Sequence, residues 1–491
     1  MPLSSKRKLE CSNRTNAITI DYWSVEKLTL PKNRARAHSE EQIEKIKSSI
    51  KIFGFLGALL INSDGEIIVG SARMQAAQQL GFDKLPVLVA GHLSKAQIKA
   101  YRIADNKLAE LSSWDDEILR FEFNSILEID NDFSLENTGF GTTEIDLILD
   151  PEEVEEARDE SVPDQIPSNP VSQRGDLWIL GSHRLLCGDA KNSNDYQALL
   201  GPSKPDMIIT DPPWNVAIEG HVGNSGAIKH REFVEASGEM SDGEFSEFLL
   251  KVLEQMANAT KCGGLIYICI DWRGLGKVLK AGNDLNLELL NFIVWNKKNA
   301  GMGSLYRSKH ELICLFKKQG AKHLNNVQLG STGRYRTNVW DYAGANSFGQ
   351  GRMDQLKSHP TAKPVTMIAD AIKDVTKRGE IILDPFCGSG TTLLAAEKTG
   401  RHAQCIELDP LYVDTAIRRF EERFGIKVIH ERTGLTFEEL GKRRATEDIQ
   451  NLTSNDEVDQ TSLLETNLTR KRTRPTKPVA KPKHLDNAGA V

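Results

Sequence analysis

Asp211, Pro212, Pro213 and Trp214 set an acid, two imino acids and an indole side by side, directly behind the apolar run Met207-Ile208-Ile209-Thr210. A run of this length reads as a buried strand. The prolines end it abruptly because neither has an N–H for a neighbouring strand. The acid and the indole are then left at the strand's carboxyl edge, where open α/β sheets bind their ligands. A carboxylate, two exposed carbonyls and a flat ring at that edge are suited to gripping an amine. On these four residues alone, a strand-to-loop turn with a core Trp fits as well.

A second stretch, Gly379 to Thr392, reads as strand, glycine turn and helix. Gly388 and Gly390 let the backbone approach a ligand, and the helix opening at Thr391 offers its first N–H groups. No Lys follows Gly390, so the turn is not a phosphate-gripping loop of the Walker type. Nineteen residues beyond Gly388, the run Ala403-Gln404-Cys405-Ile406 ends in Glu407. An acid about 20 residues past such a turn is where dinucleotide-binding sheets hydrogen-bond ribose hydroxyls.

With both stretches in place, the sequence resembles the S-adenosylmethionine-dependent DNA amino-methyltransferases, in the circularly permuted group whose catalytic motif precedes the cofactor motif. Asp211 to Trp214 match the catalytic tetrad, and Asp384-Pro385-Phe386-Cys387-Gly388-Ser389-Gly390-Thr391-Thr392 the cofactor loop. Leu186-Cys187-Gly188-Asp189-Ala190 and His359-Pro360-Thr361-Ala362-Lys363-Pro364 fall in the family's order, and the resemblance runs from about 175 to 424. It implies that Asp211, Pro212, Pro213 and Trp214 are catalytic. Asp189, Asp384, Phe386, Gly388, Gly390, Thr391, Glu407 and Lys363 would hold S-adenosyl-L-methionine, with Asp189 on its adenine.

The frame agrees with that assignment. The chain has 491 residues, 39% hydrophobic and 26% charged, enough for two or three globular domains. A net charge of −6 means that any nucleic-acid contact needs locally concentrated positive charge. Seven Cys without a Cys-x-x-Cys pair argue against a disulfide framework or a zinc site. No apolar run approaches 18 residues and the first 15 lack an apolar core, so a cytoplasmic protein without a membrane partner is expected.

The elements that would position these residues form an α/β chain: a Rossmann-like doubly wound sheet preceded by a smaller α/β unit. That unit, 17–114, begins with a strand at Ile18-Thr19-Ile20. A helix follows, capped by Ser39 with Gln42 reaching back, its stripe made of Ile43, Ile46 and Ile50. A hairpin follows around Asp64-Gly65, then a helix from Gly70 to Gly81, then a strand at Leu85 to Val89. It resembles the ParB N-terminal, sulfiredoxin-like domain. The resemblance places Gly70 and Arg73 at a nucleotide phosphate, which leaves binding or a purely structural role open. Met74 stands where the nucleotide-hydrolysing members carry a second Arg, which argues against hydrolysis.

A helical extension is expected over 115–149. An acidic linker over 150–174 follows, with eight acids against one Arg from Asp150 to Asp164. The catalytic domain is expected over 175–440. Within it, 295–342 carries nine Lys or Arg against Glu311 and Asp341 with Tyr306, Tyr335 and Trp340 interleaved, and is expected to meet DNA through Arg307, Lys309, Arg334 and Arg336. From Arg470 to Lys483 the tail holds seven basic residues and three prolines, so 441–491 reads as a disordered arm.

The reading that follows is site-specific methyl transfer to the exocyclic amino group of a flipped-out DNA base. Adenine N6 is favoured, because the family resemblance pairs a leading Asp with adenine and a leading Ser with cytosine. An N4-cytosine enzyme, an RNA substrate, and a ParB-like DNA-binding protein with an inactive catalytic domain remain as alternatives. Monomer and homodimer both stay open.

Overall fold

The computed structural model describes residues 19–32, 38–130, 133–149, 169–215, 235–236, 238–297, 300, 305–327, 334–343 and 363–447. The acidic run 150–168, His359 to Ala362 and the tail from 448 lie outside them.

The N-terminal unit folds as the alternation of its sequence requires. Strands β1 (Ile20–Ser24), β2 (Leu59–Ile61), β3 (Ile67–Val69) and β4 (Lys84–Val89) form a sheet in the order β1-β4-β2-β3. The β2–β3 hairpin turns at Gly65, whose φ of 85° an L side chain resists. Helix α1 (Glu40–Phe53) buries Ile43 and Ile50 against Ala72 and Ala76 of α2 (Ser71–Gln79). Half of the expected capping box forms at α1. Ser39 accepts from the Gln42 N–H at 3.1 Å, but the Gln42 side chain takes the neighbouring His38 imidazole at 2.9 Å. Helices α3 (Lys95–Ala109), α4 (Asp116–Ile129) and α5 (Thr142–Leu149) follow, and Leu119, Phe123, Leu135 and Ile145 close a small core between the last two.

The second unit is one ten-stranded sheet, ordered β11-β9-β10-β8-β7-β12-β13-β6-β5-β14. Its middle is parallel: β8 (Leu265–Ile270), β7 (Met207–Thr210), β12 (Ile381–Asp384), β13 (His402–Glu407) and β6 (His183–Cys187). Antiparallel β5 (Leu177–Leu180) and β14 (Ile429–His430) finish one side. On the other side the hairpin β9 (Glu288–Asn296) and β10 (His310–Lys317) is edged by β11 (Val339–Asp341). Every residue of β7 and β8 is buried, as expected for strands covered on both faces.

Alternate side chains divide between two cores. Ile208, Ile266 and Ile268 face α6 (Ser193–Leu200), α7 (Asp242–Ala259) and α8 (Leu275–Asp284), while Met207, Ile209 and Ile382 face α9 (Val365–Val375), α10 (Thr391–Thr399) and α11 (Pro410–Phe424). From β7 the chain winds outward to β8, and from β12 it winds the opposite way to β13. The winding therefore reverses between β7 and β12, and a crevice opens there at the strands' carboxyl ends.

The assumed start of the tail differs from the structure. Residues 437–447 are helical, and Arg444 clamps Asp176 with contacts of 2.5 and 3.0 Å, so this segment packs on the second unit. At the other end, the Val171 and Ser172 N–H groups donate to the Asp414 carboxylate at 2.6 and 2.9 Å.

Candidate active site at the carboxyl edge of the sheet

Four acids gather at this edge because four neighbouring parallel strands end there. Asp189 follows β6, Asp211 follows β7, Asp384 ends β12 and Glu407 ends β13. The prolines and Trp214 are therefore carried on the strand next to the one that leads into Gly388 and Gly390.

Asp384 is a brace between the two halves. Its Oδ1 accepts from Thr210 Oγ1 at 2.7 Å and from the Phe386 N–H at 3.1 Å, and its Oδ2 accepts from Thr392 Oγ1 at 2.6 Å. Burial pushes this carboxyl up against those donors, which favour its ionised form. Of the residues expected to hold a cofactor, Asp384 thus spends these hydrogen bonds on β7, the loop and the start of α10.

Asp211 sits at the head of a line of alternating charges. Its Oδ2 accepts from the Lys363 ammonium, which also lies 3.3 Å from Glu311 Oε2; Glu311 Oε1 accepts from Lys297. The Lys363 ammonium stands 5.2 Å from the centre of the Trp214 ring and 5.9 Å from that of Trp295, within cation–π range. Asp211 Oδ1 and Trp214 Nε1 are shielded from water and have no hydrogen-bond partner among the described residues. Buried polar atoms are normally paired, so this pair marks where a ligand's polar edge would fit.

The electrostatics follow from burial and from the line of charges. Burial, opposed by Lys363 and reinforced by the Glu311 charge, pushes Asp211 up to about 6. Burial acts on Glu311 in the same direction, but Lys363 and Lys297 outweigh it and hold this carboxyl below its usual range. Burial would lower Lys363, yet Asp211 and Glu311 hold it well above the ordinary lysine value. Lys363 was expected at a cofactor; its ammonium meets Asp211.

On the other side of the crevice, the Gly388 N–H donates to Glu407 Oε2 at 2.8 Å and the Asp409 N–H to Oε1 at 2.9 Å. Each oxygen keeps a lone pair for a further donor. Burial, against those two N–H groups, pushes Glu407 up to about 7. Gly390 caps α10 at φ 87°, and a Cβ there would meet the Ala416 Cβ at 2.9 Å. Arg419 reaches the Ser389 carbonyl and Thr391 Oγ1, both at 3.2 Å, and fixes the turn from below. Phe386 lies against Phe248, ring centres 6.2 Å apart, while Asp189 accepts from the Lys191 N–H at 2.9 Å and keeps part of its carboxylate exposed. Half-buried acceptors at two strand ends, an aromatic side chain and a backbone cradle suit a nucleoside carrying a cationic group.

The predicted DNA contacts separate. Arg307 and Lys309 lie exposed on the β9–β10 connection at the same edge as Asp211, Arg307 touching the Ala300 carbonyl at 2.5 Å, and Tyr306 beside them is 84% exposed. Arg334 and Arg336 do not belong with them, and that expectation is corrected. Arg334 is buried, bound to Asp374 at 2.8 Å and Asp370 at 3.4 Å; Arg336 pairs with Asp374 at 3.1 Å, donates to Tyr342 and stacks on Trp340. Both charges are paired with the acids of α9, and Arg336 Nη2, itself shielded from water, lacks a partner among the described residues. Glu311 and Lys297 went unread in the sequence; the available signal was a lone acid opening an apolar strand inside a basic segment.

In the N-terminal unit, Gly70 caps α2 at φ 102°, and Arg73 folds back so closely that a Cβ on Gly57 would fall 1.8 Å from Arg73 Nη1. A cavity of about 440 Å³ opens beside them, lined also by His38, Arg102 and Lys107.

Comparison with known proteins covers most of the chain. The family model described as DNA methylase matches residues 205–418, the ParB N-terminal domain 10–106 and the ParB-methyltransferase HTH domain 117–174. The HTH match spans α4 and α5 and the acidic segment after them. The type II methyltransferase M.HpaI of Haemophilus parainfluenzae is 26% identical over 51% of this chain and 78% of its own length. The M1.HpyAVI–SAM complex is 22% identical with a TM-score of 0.33, over 48% of this chain and 97% of that one. The cytosine-N4-specific PvuII DNA methyltransferase is 16% identical with a TM-score of 0.38, over 56% and 93%. Likenesses this low add nothing to the sheet order, which stands by itself.

Proposed function

We propose that this chain, which joins a ParB N-terminal domain and a ParB-methyltransferase HTH domain to a DNA methylase domain, transfers a methyl group from S-adenosyl-L-methionine to the exocyclic amino group of a DNA base, adenine N6. The observation that carries the reading is the unpartnered Asp211 Oδ1 beside Trp214, one strand from the glycine cradle.

The chemistry needs little more than placement. A base amino nitrogen is a weak nucleophile because its lone pair is delocalised into the ring. Asp211 Oδ1 accepts one of its hydrogens and a carbonyl of the proline turn the other, which favours the pyramidal nitrogen. Trp214 stacks on the base, which must leave the duplex at a cost of a few kcal/mol. Gly388, Gly390 and the start of α10 admit the methyl donor closely, and Glu407 and Asp189 accept from its hydroxyl and amino groups. Bound there, S-adenosyl-L-methionine supplies an electrophilic methyl on a sulfonium. Rate then comes from alignment and hydrogen bonding, without a covalent enzyme intermediate.

The choice of adenine rests on the Asp at position 211, where the resemblance leads one to expect Ser in a cytosine enzyme. The test is to treat mixed-sequence DNA with the chain and labelled methyl donor, digest it to nucleosides and separate them. Label in N6-methyladenine supports the reading, label in N4-methylcytosine replaces the base, and label absent from DNA but present in added RNA replaces the substrate. Equal labelling by Asp211→Ala rejects the assigned acid.

A further inference from the structure

Glu311 lies two strands from Asp211, with β8 between β10 and β7, yet both carboxylates meet the same ammonium. Lys363 is nearly enclosed, 7% exposed at its side chain, and Glu311 is 9% exposed. Glu311 already has a cation of its own in Lys297, which rests 4.7 Å over the Trp295 ring, so its second contact, to Lys363, is more than neutralisation of Asp211 requires. The result is geometric. Lys363 donates to Oδ2 of Asp211 while Glu311 Oε2 attracts it from 3.3 Å as an ion pair without hydrogen-bond geometry, and Oδ1 stays bare. Without the pull of Glu311, a free ammonium would be able to centre on the Asp211 carboxylate and take both oxygens, since three donors on a flexible stem adapt readily.

We infer that Glu311 is a positioning residue for the transfer step: through Lys363 it keeps one oxygen of Asp211 free and turned to the substrate amino group. The inference rests on the proposed amino-methyl transfer and deepens it. Glu311 touches no reacting atom. Among the described residues, the groups that face Asp211 are Lys363 from the segment before α9, Glu311 from β10, Cys269 from β8 and Asp384 from β12, and of these only Lys363 is cationic. Removing the Glu311 charge takes away a repulsion and tightens Lys363 on Asp211. Both effects ease ionisation of Asp211, so the acid limb of the pH profile moves to lower pH even as the transfer slows.

The test uses the full chain and compares single-turnover methyl transfer by wild type, Glu311→Gln, Glu311→Asp, Lys363→Met and Asp211→Ala across pH 5 to 9, with donor affinity measured directly by calorimetry. Expected for Glu311→Gln are donor affinity within twofold of wild type, a transfer rate lower by about tenfold to a hundredfold, and an acid limb displaced downward. Glu311→Asp is expected to recover part of the rate, and Lys363→Met to move the limb upward. A Glu311→Gln protein with the wild-type rate, or one whose whole loss lies in donor affinity, or one whose acid limb stays in place, overturns the inference. If wild type and Asp211→Ala label DNA alike, the underlying function fails first and this positioning role falls with it.

Discussion

A single carboxylate decides most of what this site can do, and its surroundings set when it can act. Asp211 must be ionised to accept an amino hydrogen, and burial has pushed it up to about 6. Transfer is therefore expected to be flat above pH 7 and to fall about tenfold per pH unit below pH 6, read from the pH dependence of the single-turnover rate. Asp211→Ala is expected to lower that rate by about 10²-fold or more, the usual cost of losing a preorganised partner of the transition state, with donor affinity unchanged by calorimetry. The acid and the indole were legible in the sequence because four adjacent residues carry them behind an apolar run. Their partners were not legible. Lys363 is 152 residues from Asp211, and nothing in the local pattern of either residue announces that a buried ammonium will share it with Glu311.

At the scale of elements, strands could be read where packing repeats and not where ion pairs substitute for a pattern. Continuous apolar runs marked β7, β8 and β12, since strands covered on both faces show no alternation. The basic segment misled because charge counts carry no pairing. Arg334 and Arg336 look like a phosphate grip until α9 presents Asp370 and Asp374 one turn apart, which is the spacing that brings both acids to one face. Arg334→Ala is accordingly expected to lower the denaturant midpoint by leaving buried Asp374 with one guanidinium in place of two, while DNA affinity measured on the folded fraction stays within twofold. A loss of affinity with unchanged stability would return this residue to the DNA surface. Gly390 belongs to the same scale. At φ 87°, with the Ala416 Cβ 2.9 Å from where its own Cβ would stand, Gly390→Ala is expected to cost about 1–2 kcal/mol of stability, read as a lower urea midpoint.

At the scale of the whole molecule, a buried contact ties α5 to the ten-stranded sheet. Arg401, fully enclosed, makes two bonds of 2.8 Å to the Asp146 carboxylate of α5 and three more contacts to Thr399 and Thr376, while Arg378 stands 3.8 Å from the same carboxylate. The HTH segment is thereby held against the start of β13, on the edge of the sheet opposite Asp211. The carboxyl edge proposed for DNA is left clear of that joint. Arg307 and Lys309 are exposed cations described at that edge, in a chain of net charge −6 that repels DNA at long range. Binding is then a local attraction working against a global one, and each cation that neutralises a phosphate releases about one counterion. Arg307→Ala and Lys309→Ala are each expected to reduce the slope of log affinity against log salt by about one, and to weaken binding evenly across sequences. The measurement is fluorescence anisotropy on duplexes between low and physiological salt. A slope unchanged in both variants would move the DNA path away from the β9–β10 connection.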